Sequence, residues 1–212
     1  MPGKHVRFAD SIPETPSPTW TISSLPSSTG PITPLPVGYA LPPMQGPFAV
    51  CRINTILAAS MTPQVIYDVS LLPSTVVPRD PKVPDYVLSE PATEPPVPYM
   101  ELVSSRIPWK IIIQPSNREV PIVTVGDVIA GIYRNLRLPV SPAEFSLVQS
   151  EGQRTRISDA YRRRCKRLPT AEDIARDLKK GLKRVDFLEG SNIFSGLSAT
   201  KEGGHVWQLH TS

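Results

Sequence analysis

Thr124-Val125-Gly126-Asp127-Val128-Ile129-Ala130-Gly131-Ile132-Tyr133-Arg134-Asn135-Leu136, closed by Pro139, is the stretch on which the reading of this chain turns. Val125, Val128, Ile129, Ile132 and Leu136 recur at i, i+3, i+4, i+7 and i+11, the spacing of one apolar helical stripe. Thr124 with Asp127 three positions on is a capping-box-like start. Pro139 ends the helix, because proline brings no N–H and clashes with the preceding turn. Downstream, Ser141-Pro142-Ala143-Glu144 carries the cap, first-turn proline and acidic third position of a second helix. Arg154 to Leu168 reads as a basic helix with Ile157, Ala160 or Tyr161, Cys165 and Leu168 inward. Thr170-Ala171-Glu172-Asp173 caps a further helix, which Gly181 stops.

Strand signals lie on both sides of this helical block. Upstream, Val65 to Val69, Tyr99 to Val103 and Trp109 to Gln114 read as strands, the first after a short helical turn at Ile53 to Leu57. The Tyr99 strand alternates. The Trp109 strand, with Ile111-Ile112-Ile113, is β-branched throughout and predicts fuller burial. Downstream, Leu182 to Leu188, Ile193 to Leu197 and Val206 to Leu209 are separated by Gly-containing turns, a pattern that suits an antiparallel meander. Strands segregated from helices make the class α+β: one domain, with an antiparallel sheet packed on several helices.

Further outward the composition changes. Twenty of the 26 prolines lie in the first 100 residues. Residues 1–47 are rich in Pro, Ser and Thr without apolar period, so burial cannot offset ordering entropy, and a disordered N-terminal arm is expected there. The domain then covers 48–212, with 73–98 an irregular proline-rich loop. Charge is split too. Residues 101–212 hold 18 Lys/Arg against 12 Asp/Glu, so the net +4 of the chain belongs to that half. Two cysteines, Cys51 and Cys165, are too few for a secreted disulfide framework. They allow one long-range disulfide, but two free thiols in a reducing compartment are the preferred reading. With no signal peptide and no apolar run of membrane-spanning length, the expectation is a soluble protein of the cytoplasm or nucleus.

A resemblance runs through these residues. Tyr67-Asp68-Val69-Ser70 with Pro73, then Pro91-Ala92-Thr93, Thr124-Val125 with Asp127-Val128, and Tyr133, Leu136, Pro139, Val140 and Ser141 carry its first part. Gly181-Leu182-Lys183-Arg184-Val185-Asp186-Phe187-Leu188, Phe194, Gly196-Leu197 and Trp207 carry the rest. In them the chain resembles an uncharacterised domain family of basidiomycete fungi, of unknown function, over about residues 48 to 209. Tyr67 stands where the family pattern has Trp. The resemblance implies a compact α+β domain behind a variable proline-rich leader, and no known activity, cofactor or catalytic residue.

Chemistry is sparse. No Gly-x-Ser-x-Gly elbow is present, and the three histidines are His5, His205 and His210. On one strand, His205 and His210 would point to opposite faces, which denies them a shared metal or proton relay. No clustered Cys/His set suggests zinc, and no glycine pattern matches a phosphate cradle. Glu172, Asp173 and Asp177 are read as carboxylates at a helix start, favoured by its dipole. No catalytic residue, cofactor or metal is therefore assigned, and a non-enzymatic module is expected. The strongest functional signal in the folded part is Arg162, Arg163, Arg164, Lys166 and Arg167, within a segment 154–184 that holds 12 Lys/Arg against four Asp/Glu. Such density suits phosphate or an acidic partner, and the competing reading is a solvated helix face. In the leader, Lys4-His5-Val6-Arg7-Phe8 fits the basic-x-Val-x-Phe docking pattern of type-1 serine/threonine phosphatase partners, with Lys4, Val6 and Phe8 as contacts. Thr15-Pro16 and Ser17-Pro18 follow as proline-directed phosphosites at Thr15 and Ser17. The expectation is thus a protein-interaction module with a motif-bearing arm, its partner unidentified. Nucleic-acid binding through 154–184 is the alternative.

Overall fold

In the computed structural model, residues 51–117 and 119–212 are described. The arm expected over residues 1–47 lies outside them. In chain order the strands are β1 (Arg52–Ile53), β2 (Val65–Ile66), β3 (Val77–Pro78), β4 (Thr93–Glu94), β5 (Met100–Val103), β6 (Ile111–Ile113), β7 (Phe194–Ala199) and β8 (Val206–Thr211). The α-helices, between β6 and β7, are α1 (Val125–Leu136), α2 (Pro142–Ser146), α3 (Glu151–Lys166) and α4 (Ala171–Lys179). The class is α+β, as the order of signals in the sequence predicts.

The capped stripe at Thr124 organises the core. Asp127 N–H donates to Thr124 Oγ1 at 3.1 Å and Thr124 N–H donates to the Asp127 carboxylate at 3.0 Å, which satisfies two donors that a helix start leaves unpaired. All five stripe residues are buried. They belong to one apolar cluster with Met100, Leu102, Ile111, Ile113, Trp207 and Leu209 of the main sheet. Each such side chain contributes about 1.5–3 kcal/mol by leaving water. A Cβ on Gly131 would lie 2.3 Å from Ile113 Cδ1, so the helix packs closely on β6 and a larger residue there would push the end of the Ile113 side chain aside.

That sheet is four-stranded, in the order β6-β5-β8-β7. β5 pairs antiparallel with β6, and β7 with β8, but the central pair β5–β8 is parallel, with Leu102 opposite Trp207. A parallel pair needs a long crossover, and here the crossover contains all four α-helices. The three-strand meander expected at the C-terminus is therefore a single hairpin, β7–β8, docked on β5.

Its missing first strand is a correction. Arg184–Leu188, inside the expected strand 182–188, forms a 3₁₀ turn. Asp186 explains it: its carboxylate accepts from Lys183 N–H at 2.8 Å and from the Arg164 guanidinium, so a buried charge fixes the backbone as a turn. Other departures are smaller. The helix expected from Arg154 starts at Glu151, capped by Ser150, ahead of its first apolar residue. The strand expected over Val65 to Val69 divides: Val65–Ile66 pairs with β3, and Tyr67 to Val69 pairs with the approach to β7 through a single antiparallel bridge, Asp68 with Ile193.

The segment 73–98 wraps the domain as irregular chain. It contains 3₁₀ turns at Pro73–Thr75 and Asp85–Ser89 and contributes one strand to each of two short ribbons, β4 to β1–β4 and β3 to β2–β3. Its prolines donate no N–H, which keeps each ribbon to two residues. It is nonetheless tied down: Ala92 N–H donates to Val123 O at 2.8 Å and Val125 N–H to Glu90 O at 2.9 Å. Among the described residues no helix is long and apolar enough to cross a membrane.

Candidate functional site

A four-stranded open sheet has two edges, and this one treats them differently. The β7 edge is covered. Leu197 N–H donates to Leu57 O at 2.7 Å, Ala59 N–H to Leu197 O at 2.8 Å and Phe194 N–H to Tyr67 O at 2.8 Å. The N-terminal part of the domain thus occupies the hydrogen-bonding groups of that strand. At Gly196, φ is +109° and a Cβ would lie 2.6 Å from Ala58 O, so both conformation and space demand glycine.

Among the described residues, the β6 edge is open. Glu101 N–H donates to His205 O, on the β8 side of β5. Backbone groups alternate sides along a strand, so Met100 and Leu102 face β6 and bond Ile113 and Ile111 across the ladder. Ile112, opposite Glu101, therefore points its N–H and C=O away from the sheet, where no strand of the described residues meets them. The residue is 56% exposed, its side chain on the face away from the core. This corrects the expectation of a more fully buried Trp109–Gln114 strand: Ile111 and Ile113 are buried under α1, while Ile112 sits on the uncovered face.

Concave surfaces border this strand. A groove of about 350 Å³ separates it from the flank of α1, lined by Ile112, Gln114, Gly131, Arg134, Asn135 and Leu138 among others. Arg134 is exposed, and within the described residues it makes no ion pair; its Nε–H reaches only Ala130 O at 3.4 Å. A second hollow of about 430 Å³ lies against Tyr99, Gln114 and Pro115. Beyond the other end of β6, a groove of about 680 Å³ is lined by Trp109, Leu147 and Val148. Trp109 is held there by three contacts: Nε1–H donates to Glu144 Oε1 at 2.8 Å, Phe187 meets its ring edge-on at 4.8 Å, and the Arg184 guanidinium lies over it at 4.9 Å.

The arginine cluster divides. Arg164 is an interior residue, its side chain only 10% exposed, paired with Asp177 and at 2.8 Å with Asp186. Lys183 completes the group at 2.8 Å from Asp177. Burial opposes the Asp177 charge, but the Lys183 hydrogen bond and the Arg164 and Lys183 charges outweigh it and hold the carboxyl below the usual range. Burial likewise opposes the Arg164 charge, and Asp186 outweighs it, raising that pKa. Asp177 lies beyond the first turn of α4, which holds Glu172 and Asp173, so its reading as a helix-start carboxylate is corrected: it belongs to a structural ion network. Arg163 donates to Glu189 O at 3.3 Å, Arg162 lies 3.6 Å from Asp159, and Arg167 lies 3.6 Å from Asp68. Lys166 is exposed and makes no ion pair within the described residues.

His210 pairs with Ser198 Oγ at 2.7 Å on the exposed sheet face, and the His205 ring lies 5.2 Å from Tyr99; the two histidines do not meet in one site. Cys51 is half-buried and Cys165 buried, both as free thiols, and burial raises the pKa of each. Among the described residues no group of His, Cys, Asp and Glu is placed to hold a metal. Lys4, Val6, Phe8, Thr15 and Ser17 lie outside the described residues. Sequence reading missed Ile112 and Arg134 as surface partners. The usable signal was Pro115, two residues past a three-residue strand, a position that suits an edge and not a sheet interior.

No curated protein and no solved structure matches the chain at a significant level. A family model does, over residues 65–204, about two thirds of the chain and inside the span of the resemblance described above. This chain belongs to the family of unknown function DUF6699.

Proposed function

We propose that this protein is a non-enzymatic interaction module that binds a protein partner at the β6 edge. One observation carries the reading: among the described residues Ile112 has no partner for its backbone N–H and C=O and is 56% exposed, while the opposite edge of the same sheet is covered by the chain itself. Soluble proteins blunt edges with charge, proline or a covering segment, because an open apolar edge recruits other strands. Of the β6 edge, only the two rims are so treated, by Lys110, which pairs with Glu101 at 3.0 Å, and by Pro115.

The test is a comparative pull-down from the native cell using the full chain, the Ile112→Asp variant and a chain lacking residues 1–45. Partners lost with Ile112→Asp, at unchanged circular dichroism, support the reading. An identical partner set for Ile112→Asp and wild type overturns it. The third arm reports on the phosphatase-docking motif in the same experiment. If Lys4, Val6 and Phe8 dock such a phosphatase, Val6→Ala with Phe8→Ala abolishes its recovery.

The runner-up is a nucleic-acid-binding protein using 154–184. The 12 basic residues there favour it, but Arg162, Arg163, Arg164 and Arg167 each have an intramolecular partner, which weakens their availability to phosphates. Oligonucleotide binding at low salt, steeply lost as salt rises, would support it. The basidiomycete origin and the cytoplasmic or nuclear location implied by the sequence belong to this same set of proposals.

A further inference from the structure

Accepting the β6 edge as the interaction surface, we propose that its occupant is an extended segment of a partner protein that adds as a fifth strand and carries a carboxylate side chain for Arg134. The backbone geometry sets the register. Ile112 offers one donor and one acceptor on the free edge, so one partner residue exchanges two hydrogen bonds with it. Strand side chains alternate, so that residue lies beside Ile112 on the exposed face, where an apolar side chain suits an isoleucine. Its two neighbours turn to the opposite face, the side on which α1 packs and the groove of about 350 Å³ opens.

Charge decides what those neighbours are. Among the described residues Arg134 is the only charged one lining that groove, and no carboxylate of them pairs with it. Asp127, on the same helix, is committed elsewhere: it accepts from Ser116 N–H at 3.0 Å and from Thr124. Arg137 donates to Ser70 O at 3.0 Å, away from the groove. An acidic residue next to an apolar one therefore complements the edge. A second copy of this chain does not: its own β6 reads Lys110-Ile111-Ile112-Ile113-Gln114 and brings no carboxylate to Arg134. Strand addition of this kind takes affinity from main-chain bonds and specificity from alternate side chains.

The probe is a randomised seven-residue peptide library panned on the full chain, with Ile112→Pro and Arg134→Glu as counter-screens. Proline is tolerated on an edge strand whose N–H faces solvent, so Ile112→Pro removes the donor without removing the strand. The expected result is enrichment of peptides with an apolar residue flanked by Asp or Glu. They should bind Ile112→Pro at least tenfold more weakly, and Arg134→Glu should move the enriched set from acidic to basic. A second readout does not depend on that variant folding: on adding an enriched peptide to wild type, hydrogen exchange of the Ile112 amide slows. The inference is overturned if no peptide is enriched, if enriched peptides bind Ile112→Pro as tightly as wild type, or if Ile112 exchange is unchanged. A dimer in sedimentation that Ile112→Pro dissociates, without peptide binding, also overturns it and makes the occupant a second copy. Cellular partners lost with Ile112→Asp but kept with Ile112→Pro would leave the interaction surface standing and remove strand addition.

Discussion

The β7 and β6 edges belong to one sheet and face the same hazard, yet the chain resolves them in opposite ways. β7 is six residues long, would be an efficient template for another strand, and is buried under the segment around Leu57 and Tyr67. β6 is three residues long, and shortness together with Pro115 is nearly all that protects it. The covered edge is a matter of folding, because its hydrogen bonds join the first and last parts of the domain. The open edge contributes little to folding and is therefore available for recognition. On the proposed reading, stability and recognition fall to different strands of the same sheet.

The sharpest way to break this contrast is Gly196→Val. At φ +109°, with Ala58 O where a Cβ would go, the substitution strains the backbone and expels the covering segment. A loss of more than about 3 kcal/mol is expected, measured by denaturant unfolding. Next in size is Arg164→Ala, which leaves Asp186 without its counter-charge and Asp177 with Lys183 alone. Breaking such a buried group costs about 3–5 kcal/mol, and replacement of all its members by apolar residues should cost less than the single change.

Acid probes the same network. Asp177 and Asp127 both have carboxyls held below their ordinary value. For Asp127, burial is opposed by hydrogen bonds from Ser116 and Thr124. A depressed carboxylate stabilises the fold fully above the unfolded value near 3.9, and that stability is lost as pH falls through the folded value. The unfolding midpoint should therefore hold down to about pH 4 and decline below it. Asp177→Asn should flatten that decline.

The smallest effect on stability is expected at the open edge. Ile112→Thr should change stability by no more than about 0.5 kcal/mol. Hydrogen exchange would make the comparison directly: the Leu197 and Phe194 amides, bonded to the covering segment, should exchange slowly, and the Ile112 amide fast. Slow exchange at Ile112 in the isolated protein would end the distinction between the edges.

Much of this was legible in the residues. The stripe from Val125 to Leu136, its Thr124–Asp127 box and the Ser141–Glu144 box are local features whose hydrogen bonds close within four residues, and all formed where expected. Leu182 to Leu188 was misread because a β-like composition there is overruled by Asp186, whose partner Arg164 lies 22 positions away. Arg164 itself was misjudged for the same reason. A run of basic residues looks like a surface, and nothing local says that one of them turns inward onto two carboxylates. Ile112 was read as buried because its neighbours are.

By itself the sequence determined the α+β class, the helix caps, the apolar helical faces and the strands flanking them, since each follows from spacing and capping over a few residues. Only the tertiary structure decided the parallel pairing of β5 with β8, the ion network around Arg164 and which edge of the sheet stays open. Those depend on contacts between segments far apart in the chain, and the free energy of such contacts is set by what the rest of the fold brings against them.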